Sequence, residues 1–290
     1  MNVLFEISKA NPRVGIITMN APKALNAMTF ELGSSFKTLV GELNLALTTP
    51  KDSLDPIVGS TPTPTLPSGV KDVNALVLTG AGRAFSAGGD MKFLGSRTDV
   101  PAHVNAATMY AFYQNFLSVR SLPVPVIAAI NGPAIGAGAC VTLACDYRVA
   151  RSDGVIGFNF CKLGIHPGMG GSHYLPRLIG PGRAAKVLLG GARMSGDEAK
   201  ELGIVDELVP TDADFVERAV EIAGNMADNS PVAVRGMLRT LRQQVDVGLE
   251  ESLRREADQQ AINYARSDWR EGLAAVMEKR EPVFDPFFAK

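Results

Sequence analysis

Short apolar runs alternate with longer helical patterns through the first two thirds of the chain. Four runs are predicted to be strands because they are apolar or alternating and end at turn residues; they span residues 14–20, 74–80, 126–131 and 147–150. Residues 28–47 and 104–121 repeat apolar positions at a spacing near 3.6 residues, which predicts helices, and residues 137–145 are predicted to form a short buried helix. Strands that alternate with helices predict an α/β fold with crossover connections.

Helix patterns dominate after residue 182. Two pairs, Ser195 with Glu198 and Thr211 with Asp214, have the spacing of a capping box at a helix start. The final pattern, from about residue 249 to residue 280, is amphipathic and rich in charge. Its apolar face needs either the core or another subunit to cover it.

These patterns divide the chain into two predicted regions, an α/β core over residues 1–200 and a helical C-terminal region over residues 201–290. Residues 48–72 interrupt the core with a proline-rich stretch that has no hydrophobic periodicity. We interpret this stretch as a solvated surface insertion. A contact with a partner is the less favoured alternative.

The composition narrows the class of protein. Of the 290 residues, 46% are apolar and 20% are charged, which is typical of a globular, soluble chain. The chain has 29 basic and 30 acidic side chains, so its net charge does not favour nucleic acid or an anionic membrane as partner. No apolar run approaches the roughly 20 residues of a membrane span, and no cleavable leader is visible. Three cysteines without CxxC spacing favour an intracellular compartment, cytoplasm or mitochondrion undistinguished, and no metal site is predicted.

Two glycine-rich turns carry the first functional hypothesis. In TGAGRAFSAGGDMK (79–92), Gly88 and Gly89 leave backbone N–H groups free to donate, and Ala137 begins a helix after NGPAIG. Two such donors on one oxygen would form an oxyanion hole, which stabilises a transition state by on the order of 3 kcal/mol per donor. Taken separately, both stretches also fit tight turns that need glycine only for packing. Neither has the GxGxxG or GK[ST] spacing of a nucleotide-phosphate loop.

Five segments, taken in order, point to one family. They are NAPKALNAMT (20–29), GRAFSAGGDMK (82–92), PVIAAINGPAIGAGACVTLACDYRVA (125–150), LGIHPGMGGSHYLPRLIG (163–180) and GDEAKELGIVDELVP (196–210). Together they resemble the crotonase superfamily, also called the enoyl-CoA hydratase/isomerase family, nearly from end to end except for the proline-rich insertion. The resemblance implies a crotonase-like spiral of ββα units with a helical C-terminal trimerisation region, assembled as a homotrimer or a dimer of trimers.

The resemblance also implies a substrate and a site. In the family an acyl-CoA thioester oxygen lies between two backbone N–H groups, which match Gly89 and Ala137 here. The implied chemistry is stabilisation of a thioester enolate, with coenzyme A as part of the substrate and no separate cofactor. Ala87, Lys92 and Lys279 match positions that contact the substrate, although each lysine alone also fits a solvated surface charge.

The chain departs from the family pattern where hydratases carry two glutamates. Those positions fall on Cys140 and Phe160, which the resemblance places in the substrate pocket, and a third acid position used by some members falls on Gly168. Neither a thiol nor a phenyl ring replaces a carboxylate in proton transfer. The sequence therefore argues against two-glutamate hydration and favours isomerisation or decarboxylation. A non-catalytic acyl-CoA binding or sensing protein is the alternative, and a scaffold role or another substrate class is a third.

Other titratable groups remain as candidates. His166, just before a Pro-Gly turn, is predicted as the catalytic acid or base because its ordinary pKa near 6.5 suits proton transfer. A lone histidine is also commonly structural. Asp90 is interpreted as a helix cap rather than a base. Weaker candidates for a proton donor or an orienting group, weighed against packing or surface roles, are Tyr110, Tyr113, His103, His173 and Asn159.

Overall fold

A computed structural model describes residues 2–49, 66–211 and 214–285 of the chain. Within these ranges it contains nine strands and eleven α-helices. The strands are β1 (Val3–Ile7), β2 (Val14–Met19), β3 (Ala75–Gly80), β4 (Val126–Ile130), β5 (Ala134–Ile135), β6 (Tyr147–Arg151), β7 (Val155–Gly157), β8 (Arg193–Ser195) and β9 (Glu207–Val209). The helices are α1 (Phe30–Thr48), α2 (Met91–Gly95), α3 (Ala102–Leu117), α4 (Ala137–Ala144), α5 (Gly171–Ile179), α6 (Pro181–Leu189), α7 (Gly196–Leu202), α8 (Phe215–Ala227), α9 (Pro231–Asp246), α10 (Leu249–Tyr264) and α11 (Ser267–Glu278).

Six strands form the main sheet, in the order β1-β2-β3-β4-β6-β9. Only β1 and β2 pair in the antiparallel sense; the other neighbours are parallel, which requires crossover connections between them. A second, three-stranded sheet has the order β5-β7-β8. The α/β architecture predicted from the alternating patterns is therefore confirmed.

The central strands bury both faces of the main sheet. Every residue of β3 and of β4 is buried, as expected for strands covered by helices on two sides. Val77 and Ile127 pack on the same side as Phe215 of α8, whereas Leu78 and Ala128 belong to the core that contains residues of α1, α3 and α4. Because the parallel strands end at a common edge, the turns that follow β3 and β4 lie side by side.

The predicted elements match the structure closely in the first two thirds. The four predicted strands correspond to β2, β3, β4 and β6, and the three predicted helices to α1, α3 and α4. The capping box at Ser195 is confirmed, since its hydroxyl accepts from Glu198 N and the Glu198 carboxylate accepts from Ser195 N. The second predicted box is wrong: Asp214 itself caps α8 by accepting from Glu217 N at 3.0 Å.

The C-terminal pattern divides into α10 and α11, which are separated at Ala265 and Arg266. Helix α10 packs along α3, so part of its apolar face is covered by the core. The division into two regions stays a prediction, with one difference: β9 lies beyond residue 200 and pairs with β6 in the main sheet. Most of the proline-rich stretch 48–72 lies outside the described residues. None of the helices in the described ranges combines the length and the apolar character needed to cross a membrane.

Candidate active site

The loop after β3 is tied to the segment that precedes α1. The side-chain amide of Asn26 donates to the carbonyls of Ala81 and Ala84 at 3.0 and 2.8 Å. Ser86 donates from its hydroxyl to the Asn26 carbonyl at 2.8 Å, and the same hydroxyl accepts from Gly88 N at 3.1 Å. The buried side chains of Asn26 and Ser86 thus fix the path of the loop up to Gly88.

Gly88 and Gly89 have different structural tasks. Gly88 has φ +91°, and a Cβ on it would lie 2.6 Å from the Ile135 carbonyl oxygen, so only glycine fits. Met28 donates to the Gly88 carbonyl at 2.7 Å and accepts from Asp90 N at 3.0 Å. These two bonds flank Gly89, and its own N–H therefore faces away from Met28, as alternate groups along an extended chain do.

The second turn brings the start of α4 against this loop. Ser86 N donates to the Pro133 carbonyl at 3.1 Å, and Ile135 N donates to the Ser86 carbonyl at 3.0 Å. Gly136, at φ +53°, then donates to Gly157 O at 2.8 Å and redirects the chain into the helix. Ala137 is the first residue of α4, so its N–H has no acceptor within the helix.

Gly89 and Ala137 line one cavity of about 500 Å³. Within the described ranges, neither of their N–H groups has a hydrogen-bond acceptor in the protein. All eight residues of α4 are buried, and the positive end of its dipole points at the cavity from a water-poor environment. Two such donors can hold an oxygen that gains negative charge. The apolar side chains around the cavity include Leu94, Met109, Phe112, Ile135, Leu163, Ile165 and Met169.

Two charged side chains lie at the outer part of the cavity lining. The Asp90 carboxylate accepts from Phe93 N at 2.8 Å and caps α2, which confirms the sequence interpretation of a cap. Lys92, on the first turn of α2, is exposed to solvent. Ala87 is exposed beside it, so both predicted substrate contacts line the cavity near its mouth.

Two phenols and the Gln260 amide form one hydrogen-bonded polar cluster in the cavity lining. The Tyr113 hydroxyl donates to Gln260 Oε1 at 2.7 Å, and the Tyr264 hydroxyl lies 3.3 Å from the same oxygen. Gln260 Nε2 donates to the His166 carbonyl at 2.8 Å, which fixes the amide. Burial raises the pKa of Tyr113 well above its ordinary value, with further contributions from Tyr264, Glu256 and Cys140; burial also raises the pKa of Tyr264. Both phenols therefore stay protonated at neutral pH.

The structure separates the two positions where the family pattern has glutamates. Phe160 lines the cavity, and its ring lies 3.9 Å from the place of a Cβ on Gly136, directly beside the start of α4. Cys140 does not line it, because its thiol points into the core toward Gly171. Burial, and then Glu256, raise the pKa of the Cys140 thiol well above its ordinary value, so this group stays a neutral thiol. Cys140 is therefore not part of the cavity wall, and its contact with the substrate stays an expectation from the resemblance.

His166 lies away from the cavity lined by Gly89 and Ala137, and its catalytic role stays a prediction. Its side chain lines a different cavity of about 540 Å³, together with residues of α5 and α6. His166 N donates to Asn263 Oδ1 at 2.8 Å, and the ring Nδ1 lies 2.7 Å from the Pro167 carbonyl. The backbone is thus held so that the His166 carbonyl faces Gln260 while the imidazole faces away. Burial lowers the pKa of this imidazole, so it is neutral at pH 7.

The remaining candidates fall into separate places. Lys279 is exposed at the end of α11 with φ +55°, two residues after Met277, which lines the cavity mouth. The Tyr110 hydroxyl donates to Glu250 outside the cavity, and His103 is exposed on the first turn of α3. His173 contacts Ser252 and the Val245 carbonyl in the core. Asn159 lines the cavity near Gly136.

Gln260 and Tyr264 were not predicted from the sequence as site residues. A pattern that could have found them is the spacing of Glu256, Gln260 and Tyr264, which recur every four residues on one face of α10. Buried polar side chains in a helix otherwise rich in exposed charge indicate a network with another element. For Gln260 that element is α3, 147 residues away at the Tyr113–Gln260 bond, whereas Glu256 accepts from Gly170 N and Ser172 N.

Comparison with known proteins gives matches along almost the whole chain. A family model described as enoyl-CoA hydratase/isomerase matches residues 68–286. A 2,3-dehydroadipyl-CoA hydratase from Escherichia coli (strain K12) is 32% identical over 272 residues, covering 94% of this chain and 95% of that protein. A crotonyl-CoA hydratase from Syntrophomonas wolfei is 29% identical over 279 residues, covering 96% of each. The crystal structure of an enoyl-CoA hydratase from Bacillus anthracis superposes with a TM-score of 0.69 at 32% identity, covering 98% of this chain and 99% of that one.

Proposed function

The chain belongs to the enoyl-CoA hydratase/isomerase family, and we propose that it binds an acyl-CoA thioester in the cavity lined by Gly89 and Ala137. Membership confirms the resemblance and the crotonase-type fold predicted from the sequence. The observation that carries the proposal is the pair of unpaired N–H groups, on two mutually hydrogen-bonded loops, that face one largely apolar cavity.

The thioester carbonyl oxygen accepts from both N–H groups. When C2 gains carbanion character, the negative charge moves onto this oxygen, and the donors stabilise the enolate more than the neutral carbonyl. At on the order of 3 kcal/mol per donor, two donors supply about 6 kcal/mol, or roughly four powers of ten in rate. The hydrogen bonds through Ser86 hold both donors in place before substrate arrives, so little reorganisation is required.

Hydration by two glutamates is not proposed. It requires one carboxylate to activate water and a second group to deliver a proton at C2. Among the residues that line the cavity in the described part of the chain, Asp90 carries the only carboxylate, and that group is engaged as the cap of α2. Phe160 places an aromatic ring beside Gly136, where it excludes water rather than activating it.

Isomerisation or decarboxylation of the acyl group suits this lining better. Decarboxylation breaks the bond between C2 and the carboxylate carbon, and its electron pair forms the enolate without a base. Isomerisation needs one proton shuttle between C2 and C4. The apolar side chains around the acyl chain exclude water from the enolate in either case.

The coenzyme A part of the substrate extends past the mouth of the cavity. Lys92 and Lys279 are exposed at or near this mouth and are proposed to contact the phosphates or the adenine of coenzyme A. No cofactor other than the coenzyme A of the substrate is proposed. The proposed assembly is a homotrimer or a dimer of trimers.

A non-catalytic acyl-CoA binding or sensing role is the second candidate. It is favoured by Phe160, because an aromatic ring in place of an acid makes the pocket a better binding site and a poorer acid–base site. Both roles use the same two N–H donors, so binding alone does not separate them.

Two measurements on the purified protein test the proposal. Calorimetry with non-reactive acyl-CoA analogues measures binding, and chromatography of coenzyme A thioesters measures turnover of enoyl and malonyl-type substrates. Binding together with turnover supports the enzyme, and binding without any turnover supports the second candidate. Absence of binding to every acyl-CoA would overturn both.

A further inference from the structure

The inner part of the cavity has few groups that can exchange a proton. In the described part of the chain its titratable lining consists of Asp90, Lys92, Tyr113 and Tyr264. Asp90 is engaged as a cap, and Lys92 reaches solvent at the mouth. The two phenols are therefore the groups deep enough to meet the acyl chain.

Tyr113 is distinguished from Tyr264 by its place beside Gly168. A Cβ on Gly168 would lie 2.7 Å from the Tyr113 hydroxyl oxygen, so any side chain at this position would displace the phenol. The absence of a side chain on Gly168 leaves the hydroxyl at the cavity wall that Gly168 itself lines. Tyr264, by contrast, directs its hydroxyl to Gln260 Oε1 and to the Met109 sulfur.

The orientation of the Tyr113 hydroxyl is fixed by a bond that it can give up. It donates to Gln260 Oε1 at 2.7 Å, and this oxygen also receives the Tyr264 hydroxyl at 3.3 Å. If Tyr113 rotates its O–H toward the cavity, the amide oxygen keeps a second donor and is not left unpaired. The cost of turning the proton toward a ligand is correspondingly small.

We propose that Tyr113 is a catalytic residue that donates its phenolic proton to C2 of the thioester enolate; this rests on the proposed function. In the step, the phenolic O–H bond breaks and a C–H bond forms at C2 with the enolate electron pair. The phenolate keeps the O–H electron pair and is reprotonated by water after the product leaves. No oxidant, reductant or metal is involved.

At neutral pH Tyr113 carries a proton that it can give, and it cannot act as the base that removes one. Its charged neighbourhood consists of Glu256 on α10, with Tyr264 on the same helix and Cys140 on α4 as further titratable groups, and none of them is a cation. Burial and these neighbours raise the pKa of Tyr113, so the phenol is protonated throughout the neutral range. An acid without a partner base serves decarboxylation, in which the enolate forms by loss of carbon dioxide. It does not serve isomerisation, in which a proton must first be removed. The substrate class is therefore an acyl-CoA with a carboxylate on C2.

The experiment compares Tyr113→Phe with Tyr110→Phe on malonyl-type and 2-substituted malonyl-type CoA thioesters. Tyr110 lies on the same helix, and its hydroxyl bonds Glu250 outside the cavity, so it is a matched control. We expect Tyr113→Phe to lower kcat by about 10²- to 10⁴-fold with KM changed less than threefold, whereas Tyr110→Phe keeps wild-type values. In D₂O the wild type should place one deuterium at C2 of a 2-substituted product in a single configuration, and Tyr113→Phe should give a mixture.

A second variant guards against a loss of folding. Replacing Tyr113 by a fluorinated tyrosine keeps the hydroxyl and its bond to Gln260 but lowers the phenol pKa. We expect kcat at pH 7 to change with the acidity of the phenol when fluorotyrosines of different pKa are compared, a dependence that a purely structural hydroxyl would not produce. If the wild type is active and Tyr113→Phe has the same kcat and gives the same configuration at C2 of the product, the inference is overturned and the proposed function is left intact. A wild type that binds acyl-CoA but releases no carbon dioxide from any of these thioesters would overturn the inference and the proposed decarboxylation together.

Discussion

Replacing Ala137 with proline removes one oxyanion donor while leaving the helix bonds intact. Position 137 is the first residue of α4, where proline is tolerated because its missing N–H has no intrahelical acceptor. The first bond of the helix, from Cys140 N to Gly136 O at 3.0 Å, does not involve this N–H. Gly136 precedes the new proline without a Cβ that could clash with the ring. We therefore expect a folded protein whose melting temperature stays within a few degrees of the wild type.

The loss of activity can be estimated from the donor that is lost. One oxyanion donor contributes on the order of 3 kcal/mol, which corresponds to about a 100-fold decrease in kcat. The proline ring also occupies the space at the cavity where the N–H was, and this hinders substrate binding. The decrease in kcat/KM should therefore be at least as large as this figure. Ala137→Gly serves as the matched variant, since it keeps the N–H and changes only helix propensity by at most about 1 kcal/mol.

The assay measures kcat and KM for the best thioester of the panel and the affinity for a non-reactive analogue by calorimetry. We expect Ala137→Gly to retain most of the activity and Ala137→Pro to lose at least about two powers of ten. If Ala137→Pro is folded and its kcat lies within threefold of the wild type, the N–H of Ala137 does not stabilise the transition state. The assignment of the oxyanion hole would then be refuted.

Three further outcomes follow from local geometry. Gly88→Ala should lower the free energy of unfolding by about 2–4 kcal/mol and abolish turnover, because φ is +91° and the new Cβ would lie 2.6 Å from Ile135 O. Equilibrium urea unfolding measures this free energy. A decrease of less than about 1 kcal/mol would contradict the prediction. Of the three thiols, only the half-buried Cys161 should react with Ellman's reagent in the native protein, whereas all three should react in denaturant. The native Cys161→Ser variant should have no reactive thiol. A second reactive thiol in the native wild type would show that the core opens. Burial raises the pKa of Glu256 from 4.5 to about 7. The folded state therefore binds this proton more tightly than the unfolded state does. The resulting stabilisation, about 3 kcal/mol, is fully present below pH 4.5 and is lost as pH rises through 7. The free energy of unfolding of the wild type should therefore fall relative to Glu256→Gln between pH 5 and pH 8.5, and a constant or rising difference would disprove the assignment.

The parts of the site that depend on backbone conformation could be predicted from the sequence. Glycine pairs at the ends of buried strands restrict the chain to a few turns, and the first residue of a helix always has an unpaired N–H. Gly89 and Ala137 were therefore accessible to prediction, as were the strands that precede them. The family resemblance supplied the expectation that the two turns face the same ligand, and the Ser86 hydrogen bonds give its structural basis.

The side-chain part of the site could not be predicted in the same way. His166 is near the cavity in sequence, but its carbonyl and its imidazole face opposite sides of the loop, and sequence does not specify which. Tyr113 and Gln260 meet across 147 residues, and their contact depends on how α10 packs along α3. Cys140 is one helical turn from Ala137, and only the packing against Gly171 determines that its thiol points into the core.

The proposed oxyanion hole, combined with a cavity whose described lining has few acidic groups, favours some reactions of the family over others. Two donors contribute about 6 kcal/mol to any step that forms a thioester enolate, whereas general acid–base catalysis contributes about 10²- to 10⁴-fold per group. A hydratase that lost both glutamates would therefore forfeit about 5–11 kcal/mol and retain only the donors. A substrate that releases carbon dioxide forms the enolate without a base, so it loses none of the proton-abstraction term and needs a single acid to finish. Tyr113 meets that requirement from the wall beside Gly168, and its bond to Gln260 keeps it in place until the enolate forms.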